Sequence, residues 1–268
     1  MNEDEHNVQS IAALDWEISF SFPTLEGFVA VFILLSVGIC MTGQMFDPSI
    51  SIRPGPGFNS TERLEYYTGL AENEASSALI AIFTISGYIL GLVIPMLIAF
   101  SLASAFESGL LETLLSYPIG RRTLLLTKLG ITVILISSSV ILTSVLSVGV
   151  FYLWQIPIVD LMLLIVALLS TCLAIAVSAI LLAVISKRVG ITSAGCGSLW
   201  IGILFVTSDP EYNILYGILN PCQIVVKYLI GGGSSVGLPE LFICLSGSIL
   251  LGVGLIALSI LAFERVDI

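Results

Sequence analysis

The sequence predicts an all-α membrane protein with six transmembrane helices, and three observations carry that prediction. Hydrophobic residues make up 57% of the 268 residues and charged residues only 10%, against roughly 25% charged in an ordinary soluble domain. The mean hydropathy is +1.08, more apolar surface than a soluble fold can cover. The apolar runs continue for about 20 residues or more without the alternation of a barrel strand, and hydrocarbon admits only structures that satisfy their own backbone.

The first span is predicted from Leu25 to Met45, opened by Pro23, which costs a helix no needed donor at its first turn. Upstream, residues 1–23 form a cytoplasmic or interfacial N-terminal segment; Asp15, Trp16 and Glu17 among apolar residues suit a membrane surface. This acidic start lacks the basic region of a cleavable signal, so the first run reads as a retained span. Residues 46–74 form a polar loop with Pro54-Gly55-Pro56-Gly57 and the sequon Asn59-Ser60-Thr61, a glycosylation candidate at Asn59. Ala75 to Ala105 is apolar throughout and, at roughly 46 Å as one helix, exceeds a ~30 Å hydrocarbon core, so it tilts, kinks near Pro95 or protrudes.

The third span is predicted over Leu124–Trp154, with Lys128 near its start positioned to snorkel; the fourth over Ile158–Ser186 and the fifth over Val189–Thr207, separated by Lys187-Arg188. Residues 210–238 alternate polar breaks with apolar pieces of about ten residues, too short to cross and hence re-entrant or interfacial. The sixth span runs from Glu240 to Phe263, completing a transmembrane domain over 24–268.

Six of the nine basic residues, Arg121, Arg122, Lys128, Lys187, Arg188 and Arg265, fall on one side of this topology. The positive-inside rule makes that side cytoplasmic, with both termini there and the 46–74 loop outside, in a protein of the plasma membrane. The net charge of −10 argues against a nucleic-acid partner. The single histidine, His6, lies in the N-terminal segment, and Cys40, Cys172, Cys196, Cys222 and Cys244 show no paired spacing. No metal site or catalytic cluster is therefore predicted. Asn220-Pro221 reads locally as a helix cap followed by proline at the first turn, and is the candidate for an outer gate.

The segment Glu107 to Arg122, ESGLLETLLSYPIGRR, carries the most information. Leu110, Leu111, Leu114 and Leu115 recur on one helical face, Glu107 and Glu112 fall elsewhere, Pro118 ends the helix and Gly120 permits a turn before Arg121-Arg122. This is a short amphipathic helix, predicted over about 106–120, lying in the membrane plane. Read from its residues, it is either a juxtamembrane linker or a contact for a soluble partner.

The same segment resembles the coupling-helix region of type-2 ABC transporter permeases: Glu107, Gly109, then Leu111, Glu112, Leu114, Leu115, Ser116 and Pro118, followed by Arg121 and Lys128. Leu110 stands where many members carry threonine. Leu219-Asn220-Pro221 before an apolar helix and a glycine cluster resembles the re-entrant outer helices of the same superfamily, within which the chain is most similar to the multi-component permeases. The resemblance implies a permease that dimerises with a second copy or paralogue and docks each coupling helix on a cytoplasmic ABC ATPase. Glu107, Gly109, Leu111, Glu112, Leu114, Leu115, Pro118, Arg121 and Arg122 would form that interface. No phosphate-binding G-x-x-x-x-G-K-[ST] occurs in this chain, so ATP and magnesium would be bound by the partner and this subunit would not itself be an enzyme. The near absence of charge within the spans favours an apolar or amphipathic substrate, and the resemblance implies that it is exported. That absence weighs against an ion-coupled secondary transporter, which with a non-transporting anchor subunit of a larger complex, sharing the same composition, makes up the alternatives.

Overall fold

The computed structural model describes residues 80–111, 121–150, 158–207, 214–231 and 236–265, and every regular element among them is helical. The helices, in chain order, are α1 (Ile80–Glu107), α2 (Arg121–Val150), α3 (Ile158–Ser186), α4 (Val189–Thr207), α5 (Ile214–Leu219), α6 (Pro221–Gly231) and α7 (Leu238–Arg265). Five of these, all but α5 and α6, are long and apolar enough to cross a membrane. They coincide with five of the six expected spans; α3 and α4 have the expected bounds. The expected first span at 25–45, the N-terminal segment 1–23, the 46–74 loop with Asn59, and Glu112, Leu114, Leu115 and Pro118 lie outside the described residues.

The helices face outward with side chains that water would reject. Leu92, Met96 and Phe100 on α1, Ile134 and Ile141 on α2, Phe205 on α4, and Leu250, Leu258 and Leu261 on α7 are all exposed. Lipid is the solvent that such a surface fits. Inside, α3 is the hub: its apolar window is 67% buried, against 17% for α4 and 22% for α7. It packs against α2, α4, α6 and α7. Small residues let neighbours approach it: Ala167, Cys172, Ala176, Ala179 and Ala183 are buried in the core with Leu164, Leu168, Ile180 and Val184.

Two local features depart from simple helical reading. In α1 the helix runs through Pro95 and changes pitch later, in a π-helical turn at Ala99–Ala103. Between α3 and α4 only Lys187 and Arg188 intervene, and Lys187 takes a left-handed conformation with φ 54°. Such a conformation costs a non-glycine residue roughly 1–2 kcal/mol. The turn is held by the Ser186 hydroxyl, which lies 2.9 Å from the Thr192 hydroxyl, while the Thr192 hydroxyl also donates to the Arg188 carbonyl at 2.9 Å.

At the other end of the bundle α5 and α6 fold back on each other around Asn220. An added Cβ at Gly217 would lie 2.6 Å from Ile224 Cγ1 and 2.4 Å from Cys244 Sγ, so glycine is what lets α5 sit between α6 and α7. Gly247 plays the same part on α7, where a Cβ would meet Ile218 Cγ1 at 2.8 Å. Then α7 begins with one half of a capping box, Glu240 at its third position accepting from the Gly237 N–H at 3.0 Å, and its first intrahelical bond runs from Leu241 N–H to the Gly237 carbonyl at 3.1 Å.

Candidate functional site

The ends of α1, α2, α3, α4 and α7 meet at one end of the bundle, and the segment singled out in the sequence enters and leaves there. The last turn of α1 closes with Ser108 N–H donating to Ser104 O at 2.9 Å and Gly109 N–H to Phe106 O at 3.2 Å. Gly109 has φ +70°, the left-handed position that terminates many helices and that glycine alone occupies without a steric penalty. The glycine of the motif therefore turns the chain out of α1. Gly109→Ala is expected to cost about 1–2 kcal/mol, read as a lower thermal midpoint of the purified protein; an unchanged midpoint would show that the turn tolerates a side chain.

Glu107, the last residue of α1, is committed to another helix. Its Oε1 accepts from the Val189 backbone N–H at 2.9 Å. Val189 is the first residue of α4, so the carboxylate satisfies one of the unpaired N–H groups of that terminus and complements its partial positive charge. Glu107 was expected at a contact with a soluble motor; the geometry also gives it an internal task, fastening the end of α1 to the start of α4.

The far side of the segment is fastened to α7. Arg121 Nη1 donates to the Glu264 carbonyl at 3.3 Å, and Arg122 Nε pairs with the Glu264 carboxylate. Both pairs are exposed, so they orient the chain more than they stabilise it. Beneath them lies an apolar floor: the Phe106 and Phe263 rings meet edge to face, with centroids 6.1 Å apart and planes at 76°. Leu111, another residue of the motif, is 1% exposed and packs in the same core as Leu102, Leu124, Leu125 and Phe263. Leu111 thus faces the bundle.

Lys128 corrects an expectation. Rather than snorkelling, its side chain is buried and its ammonium reaches Ser101, donating to the carbonyl at 3.4 Å and the hydroxyl at 3.3 Å. The π-helical turn at Ala99–Ala103 contains Ser101; the altered ladder places its carbonyl within reach of the cation. Nothing in the spacing of Lys128 in the sequence signals this partner 27 positions away.

At the opposite end, Asn220 is buried between α5 and α6 and Pro221 opens α6. The Asn220 amide donates to Thr207 Oγ1 at 3.4 Å and Gln223 Oε1 at 3.3 Å, and Thr207 Oγ1 donates to Gln223 Oε1 at 3.0 Å. The Cys222 N–H donates to Thr171 Oγ1 at 3.3 Å, halfway along α3. The break in the helical backbone is therefore carried deep into the bundle, where polar side chains replace water for it. A small recess of about 50 Å³ sits beside it, lined by Thr84, Tyr88, Thr171, Trp200, Asn220 and Gln223 among others. Sequence reading found the Asn220-Pro221 break but missed Thr171, Thr207 and Trp200, which come from helices distant in the chain.

Among the described residues no three His, Cys, Asp or Glu side chains gather as a metal site would require. Compared with known proteins, the chain matches no family model and no curated protein.

Proposed function

We propose that the chain is the permease subunit of a type-2 ABC transporter, in which the segment 106–120 is a coupling helix and a separate cytoplasmic ATPase supplies the energy. The observation that carries this reading is the double fastening of that segment. It enters beside Glu107, which holds the start of α4, and leaves through Arg121 and Arg122, which hold the end of α7 at Glu264. A push on the segment would reach two spanning helices through short bonded paths, which a passive linker does not require. Arg121, Arg122, Lys187, Arg188 and Arg265 lie at this end, and an accumulation of cations favours the cytoplasmic side.

With residues 25–45 as a further span, the permease has six spans with both termini inside, and α5 and α6 become re-entrant outer helices whose break at Asn220-Pro221 serves as a gate. The functional unit is a dimer of permeases in the cell membrane. The cargo is apolar or amphipathic, a reading supported by the near absence of charged side chains within the spans.

The test is co-purification. Gentle solubilisation of the native membrane is expected to retain a cytoplasmic ATPase with this chain, and the combined Glu112→Ala and Arg121→Ala substitutions are expected to release it while the permease stays folded. If no ATPase is retained under conditions that keep other membrane complexes whole, the anchor-subunit reading takes its place.

A further inference from the structure

The π-helical turn in α1 carries one residue more than the regular helix on either side of it needs. Its closing bond runs from Ser104 N–H to Ala99 O, five residues back, whereas the α-helical ladder resumes with Ser108 N–H to Ser104 O at 2.9 Å. Such a turn is an α-helix with a single inserted residue. If the same residues ran on as α-helix, everything beyond them would turn by about 100° and advance about 1.5 Å along the axis.

What lies beyond is the part of α1 that joins the helices at this end of the bundle. Phe106 meets Phe263 of α7, Glu107 accepts from the Val189 N–H of α4, and Leu111 is 1% exposed in the core. Before the turn, Leu90, Ile94 and Ile98 are fixed in that same core. A rotation of about 100° between the two sets of residues breaks all three later contacts at once. The turn therefore sets the register that brings the end of α1 onto α4 and α7.

Side chains hold the turn as well as its own ladder. The Ser104 hydroxyl donates to the Phe100 carbonyl, and the Lys128 ammonium donates to the Ser101 carbonyl at 3.4 Å and to Ser101 Oγ at 3.3 Å. In α geometry the Ser101 carbonyl would point along the axis to the Ala105 N–H; bonded to Lys128 it is held out toward α2. Lys128 is the one charged side chain that is buried among the described residues, and a buried cation is costly unless it is hydrogen-bonded. The lysine and the turn thus stabilise each other.

We propose that this turn is a conformational joint in α1 and that Lys128 holds it in the π state. When the turn closes to α geometry, the last turn of α1 leaves α4 and α7 together. Its use in transmitting a partner's push rests on the permease reading, but the joint itself does not: thiol labelling judges the joint, and co-purification judges the permease.

The full chain carrying Leu111→Cys, reacted with a maleimide in phosphatidylcholine nanodiscs and with the adduct mapped to that peptide, tests the joint. The thiol is expected to be protected in the otherwise native chain and about tenfold more reactive with Lys128→Met, the factor that loss of a charged hydrogen bond carries. Deleting Phe100, which faces outward at 48% exposure, removes the surplus residue and with it the need for the lysine. In the Lys128→Met chain this deletion is expected to restore protection and to leave a species that elutes as folded. General destabilisation cannot produce that result, since a further deletion does not repair a lost bond. Deleting Ile85, also exposed but within regular α-helix, is expected to abolish the folded species because it turns Leu90, Ile94 and Ile98 out of the core. Protection that survives Lys128→Met would show that the cation does not hold the turn and would overturn the proposal. A Phe100 deletion that unfolds the chain or leaves the thiol reactive would overturn the register assignment, as would a folded, protected chain lacking Ile85.

Discussion

Trp200→Ala is expected to lower the thermal midpoint of the purified chain by roughly 10 °C, the consequence of losing about 3–5 kcal/mol on emptying a packed aromatic site. Trp200 is among the largest fully buried side chains, 1% exposed in the middle of α4. Its indole lies so close to α1 that a Cβ added at Gly91 would fall 2.2 Å from Cε2 and 2.3 Å from Nε1. The ring is therefore the wedge by which a helix otherwise mostly facing outward is held to the bundle. Gly91→Ala attacks the same contact from the other side and is expected to cost about 1–3 kcal/mol by overpacking. In the double variant the two effects should fall well short of their sum, because each substitution removes what the other disturbs. Additive losses would show that the contact does not hold α4 to α1. Trp200 Nε1 has no hydrogen-bond partner among the described residues, so Trp200→Phe, which keeps much of the ring and drops the unpaired donor, is expected to cost clearly less than Trp200→Ala.

Phe263→Ala is expected to be of similar size, about 3–5 kcal/mol, and to have a second, local effect. Phe263 is 0% exposed and sits edge to face with Phe106 at the last turns of α7 and α1. An aromatic pair of this geometry contributes about 0.5–1.5 kcal/mol beyond its buried area. Leu111 belongs to the same core, so removing the ring should loosen the point where the chain leaves α1. The measurement is maleimide labelling of Leu111→Cys: protected while Phe263 is present, it should become reactive in the Phe263→Ala background. Protection that survives the substitution would show that Leu111 is anchored by other neighbours and that the two ends are not mechanically joined through this ring. The exposed pair between Arg122 and Glu264 cannot substitute for it, since exposed ion pairs contribute little.

The parts of this architecture that were legible in the sequence are those governed by one helix at a time. An apolar run between polar breaks must span or be buried, so α3 and α4 could be bounded from composition alone, and Lys187-Arg188 could be read as their connection. Pro221 could be read as the opening of α6 because its missing N–H costs nothing there. The glycine of the segment after α1 was legible as part of a resemblance, but its physical reason, φ +70° at the helix end, required the backbone. What the sequence hid depends on pairs of helices. Lys128 near a span terminus suggests an interfacial side chain, and only the π-helical turn opposite it reveals an internal partner at Ser101. Pro95 is the residue that draws attention in α1, yet the change of pitch comes at Ala99–Ala103, among residues with no breaking tendency of their own. The Thr171, Thr207, Asn220 and Gln223 cluster is likewise assembled from separate helices, and no spacing within one segment announces it.

The two-residue connection between α3 and α4 also constrains how the chain is made. Lys187 and Arg188 leave no slack, so these two helices cannot enter a bilayer one at a time with a loop paid out between them. They suit entry as a single helical hairpin, with the 29 residues of α3 and the 19 of α4 committed together. The two cations at the tip of that hairpin are expensive to draw across hydrocarbon, and the side on which they remain fixes the direction of both helices at once.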